Sequence, residues 1–444
     1  MKHKFKFFFL LLGLFLLSAA QAQDKKTITL AEAIDLSIRN SHQLKSDKAK
    51  IEEATAALKE SVDKRLPSAT VSGSYLRLNN ANFSMKSSKD SSGGASGSGS
   101  PKVSQAVYGL LNISLPIYTG GRIKYGIESS RYLAEAVKLD ADEDRDEVVQ
   151  NTIEAFANLF KAKTAVSLVT ENLEQSRQRA KDLGNLEKNG LLARNDLLKA
   201  ELQSSNLELS LLDAENNWQL ANVNMNLMLG LPDNTQLVLD TSGIEKRDDS
   251  RTLEDFIQTA RDNRKDIASL SLRQKAAVSG VRETKSELYP SLQLTGGYIA
   301  ADIPHVFSVT NALNAGVGVS YNISSLWKTK AKIQQADARV KQLSASQAML
   351  DDNIRLQVNK SYLALVSNRK KIEVYAKAVD QAQENYRIVK NKFDNSLATT
   401  TDLLEADVAQ LQARLNYTLS RADAFVAYNK LLQTAGILSS NYSK

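Results

Sequence analysis

Apolar and polar positions change their period at fixed points along the chain. Leu30, Ala33, Ile34 and Ile38 recur at helical spacing behind Thr29, a capping residue. A break near Asn40-Ser41 opens a second helix that runs to about Arg65. Pro67 stops it, because the residue before a proline resists the helical region. The period then falls to two. Val71, Gly73 and Tyr75 alternate with Ser72 and Ser74. After a loop, Leu111, Ile113, Leu115 and Ile117 alternate with Asn112, Ser114 and Pro116. From about 122 the spacing is helical again, up to a break at Asn189-Gly190. A returning helix over about 192–230 ends at Gly230, a helix-stop position.

The same series is written a second time. Shifted by 223 positions, Leu30, Ile34, Asn40, Glu60, Pro67, Ser68, Gly73 and Tyr75 meet Leu253, Ile257, Asn263, Glu283, Pro290, Ser291, Gly296 and Tyr298. Shifted by 206, Ile117, Lys124, Ile127, Leu159, Leu191, Asp196, Leu198, Ala200 and Gly230 meet Ile323, Lys330, Ile333, Leu365, Leu397, Asp402, Leu404, Ala406 and Gly436. The 17 positions separating the two shifts are an insertion between Tyr75 and about Gly109, where SSKDSSGGASGSGSP has a loop composition. The copies span 23–245 and 246–444. Strands are expected at about 69–80, 106–118, 291–302 and 313–324, and helical hairpins at about 122–230 and 326–436. A repeat this long is not a solenoid unit. It implies two halves playing equivalent parts.

In the second copy Val358, Leu365, Ile372, Val379, Tyr386 and Phe393 recur every seven residues, a coiled-coil seam. Leu159, Val166, Leu173 and Ala180 form a weaker one in the first copy. The returning helix carries Leu397, Leu404, Leu411, Phe425 and Leu432. The helix at about 42–65 and the returning helix together nearly match the long helix, whose length is roughly 90–100 Å at 1.5 Å per residue. Two shorter helices placed end to end beside a long one build a wall of even height. Each copy also supplies two strands of roughly 10 residues, the length a tilted strand needs to cross a bilayer. A half-buried soluble sheet alternates in the same way, so the strands alone leave both readings open. Four strands per chain fall short of the minimum of about eight for a spanning barrel, so membrane strands require homo-oligomerisation.

Composition narrows the chemistry. The 444 residues include no Cys, 3 His and 6 Pro. A disulfide framework, a thiolate metal site and a thiol nucleophile are excluded. The scarcity of histidine argues against a histidine metal site or a serine triad. Four of the six prolines, Pro67, Pro116, Pro232 and Pro290, stand at element junctions, and Pro101 and Pro304 in or beside the loops. Lys2, Lys4 and Lys6 precede an apolar run from Phe7 to Leu17 and a small-x-small site at Ala20-Gln21-Ala22. That pattern is a cleaved export signal over 1–22, since roughly 11 apolar residues are too few to span a bilayer. Removing its three lysines lowers the 57 basic residues to 54 against 50 acidic ones, and the formal charge from +7 to +4. The apparent basicity belongs largely to the signal and does not point to nucleic acid. Gly120-Gly121 lacks the further glycine and the βαβ context of a nucleotide fingerprint. Trp218 and Trp327 read as packing or interface residues and His42 as a surface residue, with His305 in an outer loop. Tyr75, Tyr118, Tyr298 and Tyr321 fit interfacial aromatic girdles.

The duplication, the element order and three local motifs resemble the TolC family of outer-membrane efflux proteins over about 27–438. The motifs are Leu115-Pro116-Ile117-Tyr118-Thr119-Gly120-Gly121-Arg122, Leu66-Pro67-Ser68 with its copy Tyr289-Pro290-Ser291, and the two hairpin tips at 189–198 and 395–406. The resemblance implies a mainly α fold with a small β part: a long α-helical coiled-coil barrel continued by a trimeric 12-stranded transmembrane β-barrel, four strands from each chain. Helices at 30–40 and 253–262, with 231–250 and the residues after 437, would form a belt. It implies a homotrimer, in contact with outer-membrane lipid and docked to a periplasmic adaptor protein and an inner-membrane transporter of RND or ABC type. The location implied is the outer membrane of a Gram-negative bacterium, with a periplasmic extension. The implied function is the exit duct of a tripartite efflux pump or of a type I protein secretion system. No catalytic residue, cofactor or metal is implied.

From that family's aperture, Asp402 and Glu405 carry over as an acidic ring and Asp196 as the first-copy tip acid. Phe393 takes the place of the tip aromatic. Where the family pattern can carry a pairing arginine, this chain has Ala398, with Arg194 in the first copy instead. Gly190, Leu191, Ser396 and Leu397 are the adaptor-docking tips. An acid at the start of a helix also serves simply as a terminal charge. Two other classes stand beside the duct. A soluble periplasmic coiled-coil scaffold or adaptor would lack paired strands, and an exported hydrolase would need a clustered nucleophile and base that the sequence does not show.

Overall fold

The computed structural model describes residues 25–82, 102–241, 249–304 and 307–442. The expected export signal at 1–22, the expected loop at 83–101 and His305 lie outside them. The chain runs β1 (Lys25–Ile28), α1 (Leu30–Asn40), α2 (His42–Asp63), β2 (Ser68–Asn82), β3 (Lys102–Tyr118), α3 (Arg122–Lys188), α4 (Arg194–Leu229) and β4 (Gln236–Leu239). It continues through α5 (Leu253–Asn263), α6 (Lys265–Lys285), a short 3-10 turn, β5 (Ser291–Ile303), β6 (Phe307–Ser320), α7 (Ser325–Asp394), α8 (Thr400–Thr434) and α9 (Leu438–Tyr442). The long helices have 67 and 70 residues. No described helix is long and apolar enough to cross a membrane. The chain divides into two compact units, one holding the segments to Lys48, Leu139–Ile267 and from Met349 on, the other Ala49–Lys138 and Ala268–Ala348.

In the first unit the apolar rows of α1 and α5 close over the hairpin helices. Leu30, Ala33 and Ile34 of α1 and Phe256, Ile257 and Ala260 of α5 share one core with Ile153, Phe156, Leu159, Met225, Ile354, Val358 and Leu431. Burying each large apolar side chain stabilises by about 1.5–3 kcal/mol. Thr29 caps α1 through its hydroxyl, and Thr252 with Asp255 makes a full capping box on α5. β1 and β4 pair in parallel from Lys25↔Gln236 to Ile28↔Leu239. A two-stranded sheet is marginal alone. Here Asn222 holds β4 to α4, accepting from the Leu237 N–H at 3.0 Å and donating to the Thr235 carbonyl at 2.7 Å.

Two glycines let the ends of α4 and α8 pack closely on the first unit's short helices. Gly230, at φ +68°, lies against Asn40, whose side chain donates to the Leu229 carbonyl at 2.7 Å. Gly436, at φ +70°, lies against the backbone of Asn263 and Arg264. A Cβ would stand 2.7 Å from Asn40 Cγ in the first case and 2.9 Å from the Arg264 nitrogen in the second. The left-handed conformation and the close approach both demand glycine. The end of α4 thereby meets the end of α1, and the end of α8 the end of α5.

Arg264 is nearly buried at the second junction, bonding Asp266 through both carboxylate oxygens, Gln357 and the Thr434 carbonyl. It lines a cavity of about 820 Å³ together with Glu143, Lys360 and Lys430. Burial pushes the Glu143 carboxyl from 4.5 up to about 7; Asp266, Asp146 and Asp144 add to this and Arg264 opposes it. A carboxyl whose folded value is raised contributes stability below the unfolded value of 4.5, and this is lost as pH rises through about 7. Glu143→Gln is therefore expected to leave Tm unchanged near pH 4.5 and to raise it by about 2 °C at pH 8, read by scanning calorimetry.

The second unit carries an antiparallel sheet in the order β2-β3-β5-β6. The outer pairs are the hairpins of the two copies, and β3 with β5 joins one copy to the other through Leu111↔Tyr298 and Leu115↔Leu294. The register puts Val71, Tyr75, Leu111, Leu115, Leu294, Tyr298, Leu313, Val317 and Val319 on one face. Ser68, Thr70, Ser72, Asn112, Ser114, Gln293 and Thr295 lie on the other. The apolar face is bare, with Val71 at 83% and Leu313 at 82% exposure. Two strands differ from expectation. β3 starts at Lys102 rather than near 106, and β6 spans Phe307–Ser320 rather than about 313–324. Alternation does continue through Tyr321 and Ile323. Asn322, however, accepts from the N–H and hydroxyl of Ser324 and turns the chain into α7.

Candidate functional site: the hairpin tips

Both long helices end on a left-handed residue. Gly190, at φ +73°, lets the Leu191 N–H reach the Leu186 carbonyl at 2.9 Å. In the second copy Ser396 takes that place at φ +60°, and the Leu397 N–H reaches the Lys392 carbonyl at 2.7 Å. Leu191 and Leu397 project at 74% and 77% exposure. Because a side chain in this conformation costs about 1–2 kcal/mol relative to glycine, Ser396→Gly is expected to stabilise by about 1 kcal/mol in urea denaturation.

The acids differ in what they already bind. Asp402 completes a capping box: its Oδ2 accepts from the N–H and the hydroxyl of Thr399 at 2.8 and 2.7 Å. The Thr399 N–H, and next its hydroxyl, hold the Asp402 carboxyl below its usual range. Asp196 accepts from Lys199 at 3.2 Å, and the same ammonium donates to the Thr401 hydroxyl at 3.1 Å, tying one tip to the other. Glu405 and Arg194 are exposed. Phe393 packs, with Ala180 and Leu192, on the buried cluster Leu183, Leu197 and Ala200 of the first-copy tip. The structure thus makes two cross-repeat contacts, Phe393 on the Leu183–Leu197–Ala200 cluster and the Asp196-bound Lys199 on Thr401, and gives Asp402 a capping partner.

Above the tips lies a group that the sequence reading missed. Arg179 of α3 grips Asp407 of α8 through both carboxylate oxygens at 2.8 and 3.2 Å, and donates to the Tyr386 hydroxyl of α7 at 2.9 Å. Asp407 has no exposed side-chain surface. The bonds to Asp407 and Tyr386 raise the Arg179 guanidinium further against the opposing effect of burial. Tyr386 was legible as a seam position. Asp407, an acid at helical spacing from Leu403, Leu404 and Leu411, was the available signal.

This architecture agrees with a family comparison. A family model described as outer membrane efflux protein matches residues 33–231 and 256–437, most of both repeats. The chain belongs to the outer membrane efflux protein family. It is similar to the outer membrane protein TolC of Vibrio cholerae, with 23% identity over 184 residues. That match takes in 41% of this chain and 40% of the relative, so the chain aligns with less than half of the relative's length. Among solved structures, VceC of Vibrio cholerae superposes with a TM-score of 0.74 at 18% identity, over 92% of this chain and 96% of the other. The Campylobacter jejuni CmeC outer membrane channel gives 0.76 at 17%, over 92% and 86%. The Neisseria gonorrhoeae MtrE outer membrane channel gives 0.69 at 15%, over 92% and 89%. At these identities the likeness is one of fold. The efflux family thus shares its mainly helical fold and small strand part with this chain.

Proposed function

We propose that the protein is the outer-membrane duct of a tripartite efflux pump, passively conducting small molecules out of the periplasm. The observation that carries this reading is the sheet. Its apolar face is bare on the outer strands β2 and β6 and half-exposed on β3 and β5, and among the described residues no further strand lies beside the edges β2 and β6. Open edges of 15 and 14 residues in hydrocarbon leave backbone groups without partners, so they require closure. Edge-to-edge pairing of three copies closes a 12-stranded barrel, with lipid outside and the polar face lining the duct.

The helices support the same assembly. Leu202, Leu209, Leu220 and Leu227 on α4 are each more than 60% exposed, as are Met349, Leu356 and Leu363 on α7. The α7 row lies opposite the Val358–Leu365 row that the chain buries itself. Each copy thus offers two bare seams to neighbours. Asp196, Asp402 and Glu405 would ring the periplasmic aperture, with Arg194 beside them and Phe393 packed behind. Gly190, Leu191, Ser396 and Leu397 would meet an adaptor that reaches an RND or ABC transporter.

Cell fractionation and unheated gel migration of the full chain test this. Outer-membrane recovery as a heat-dissociable trimer is expected. A monomer in the soluble periplasm would overturn the duct.

A further inference from the structure

We infer that the strand-to-helix end of the sheet carries a basic collar that selects anionic phospholipid headgroups in the adjoining leaflet. The inference rests on the membrane reading above. The four crossings between sheet and helices are residues 62–66, 118–125, 285–289 and 321–332. They hold eight Lys or Arg, namely the five collar residues below with Lys64, Arg122 and Lys332, and two acids, Asp63 and Glu287. Neither acid faces the collar unengaged: Glu287 pairs with Lys332 at 2.7 Å, and Asp63 lines a polar chamber with Lys64, Arg122, Ser68 and Ser114. Ser68 and Ser114 mark that chamber as the polar side of the sheet.

Arg65, Lys124, Lys285, Lys328 and Lys330 remain, all exposed and none in the chamber. Just inside them along the strands, Tyr118 and Tyr321 end the apolar face at 50% and 39% exposure. An aromatic belt followed by long basic side chains places apolar stems in hydrocarbon and cations at phosphate depth. The opposite end of the sheet, with its loop, carries a smaller excess in the sequence: Arg77, Lys86, Lys89 and Lys102 against Asp90 and Asp302. The basic charge is therefore concentrated at the strand-to-helix end, and it complements a leaflet of negative surface potential.

Retention of lipid by the purified full chain tests the collar. Protein exchanged into micelles with equal phosphatidylglycerol and phosphatidylcholine is expected to retain the anionic lipid at least roughly threefold over the neutral one, less so at high salt. The combined change Arg65→Gln, Lys124→Gln, Lys328→Gln and Lys330→Gln is expected to bring the ratio to parity. Lys371→Gln with Lys377→Gln and Lys390→Gln, on α7 away from the sheet, should leave it unchanged. Parity in the unaltered protein, or a preference that survives the collar change, overturns the inference. With the protein still recovered in the outer membrane, that result removes the collar alone; recovery as a soluble monomer removes the duct as well.

Discussion

Asp407→Ala is expected to be among the most destabilising single substitutions in the hairpins, costing about 3 kcal/mol, because it strands a largely buried guanidinium. The reason lies in the asymmetry of buried ion pairs. Forming Arg179–Asp407 gains little net energy, since both charges give up water. Removing one partner leaves the other desolvated and unanswered. Tyr386 offers Arg179 one neutral acceptor, at 2.9 Å, which does not replace a carboxylate bound through two oxygens at 2.8 and 3.2 Å. Denaturant unfolding of the purified protein should show the loss for Asp407→Ala. The double change Arg179→Met with Asp407→Leu should recover most of it, because apolar groups of similar size fill the space without a charge to satisfy. If the double variant stays as unstable as the single one, geometry rather than desolvation governs the site.

The pair also shows where sequence reading ends. Periodicity located the hairpins, the breaks at Asn189-Gly190 and Asn395-Ser396, and the two-residue alternation of the strands, because period is a local property of the chain. The duplication predicted that Gly230 and Gly436 stand in equivalent places, and the structure gives the reason: both accept the end of a neighbouring helix without a Cβ. Tertiary pairing carries no such local mark. Arg179 and Asp407 lie 228 positions apart, and nothing near either names its partner. Likewise, the strength of a heptad did not foretell its burial. Ile372 and Val379 of the stronger seam remain half-buried, while Leu159 and Leu173 of the weaker one are buried. Burial depends on which helix lies opposite, and the bare rows of α4 and α7 await a second copy in the proposed assembly.

At the aperture, Glu405→Gln is expected to lower cation selectivity more than Asp402→Asn. Both acids begin α8 one turn apart, Asp402 in its first turn and Glu405 in its second. They differ in engagement. The Asp402 carboxylate is held by Thr399, with its charge turned onto the helix start, where it stabilises the terminus. Glu405 is exposed and projects from a settled turn. In the proposed trimer three copies of each ring a narrow pore, and unengaged carboxylates set the local cation concentration there. Planar-bilayer reversal potentials in a salt gradient measure this. Glu405→Gln should reduce the cation-to-anion permeability ratio roughly several-fold, with the double variant only slightly lower. Asp402→Asn alone should act mainly on stability, by about 0.5–2 kcal/mol through the weakened capping box. Conductance and selectivity unchanged in the double variant would mean that these acids serve the helix ends and not the pore.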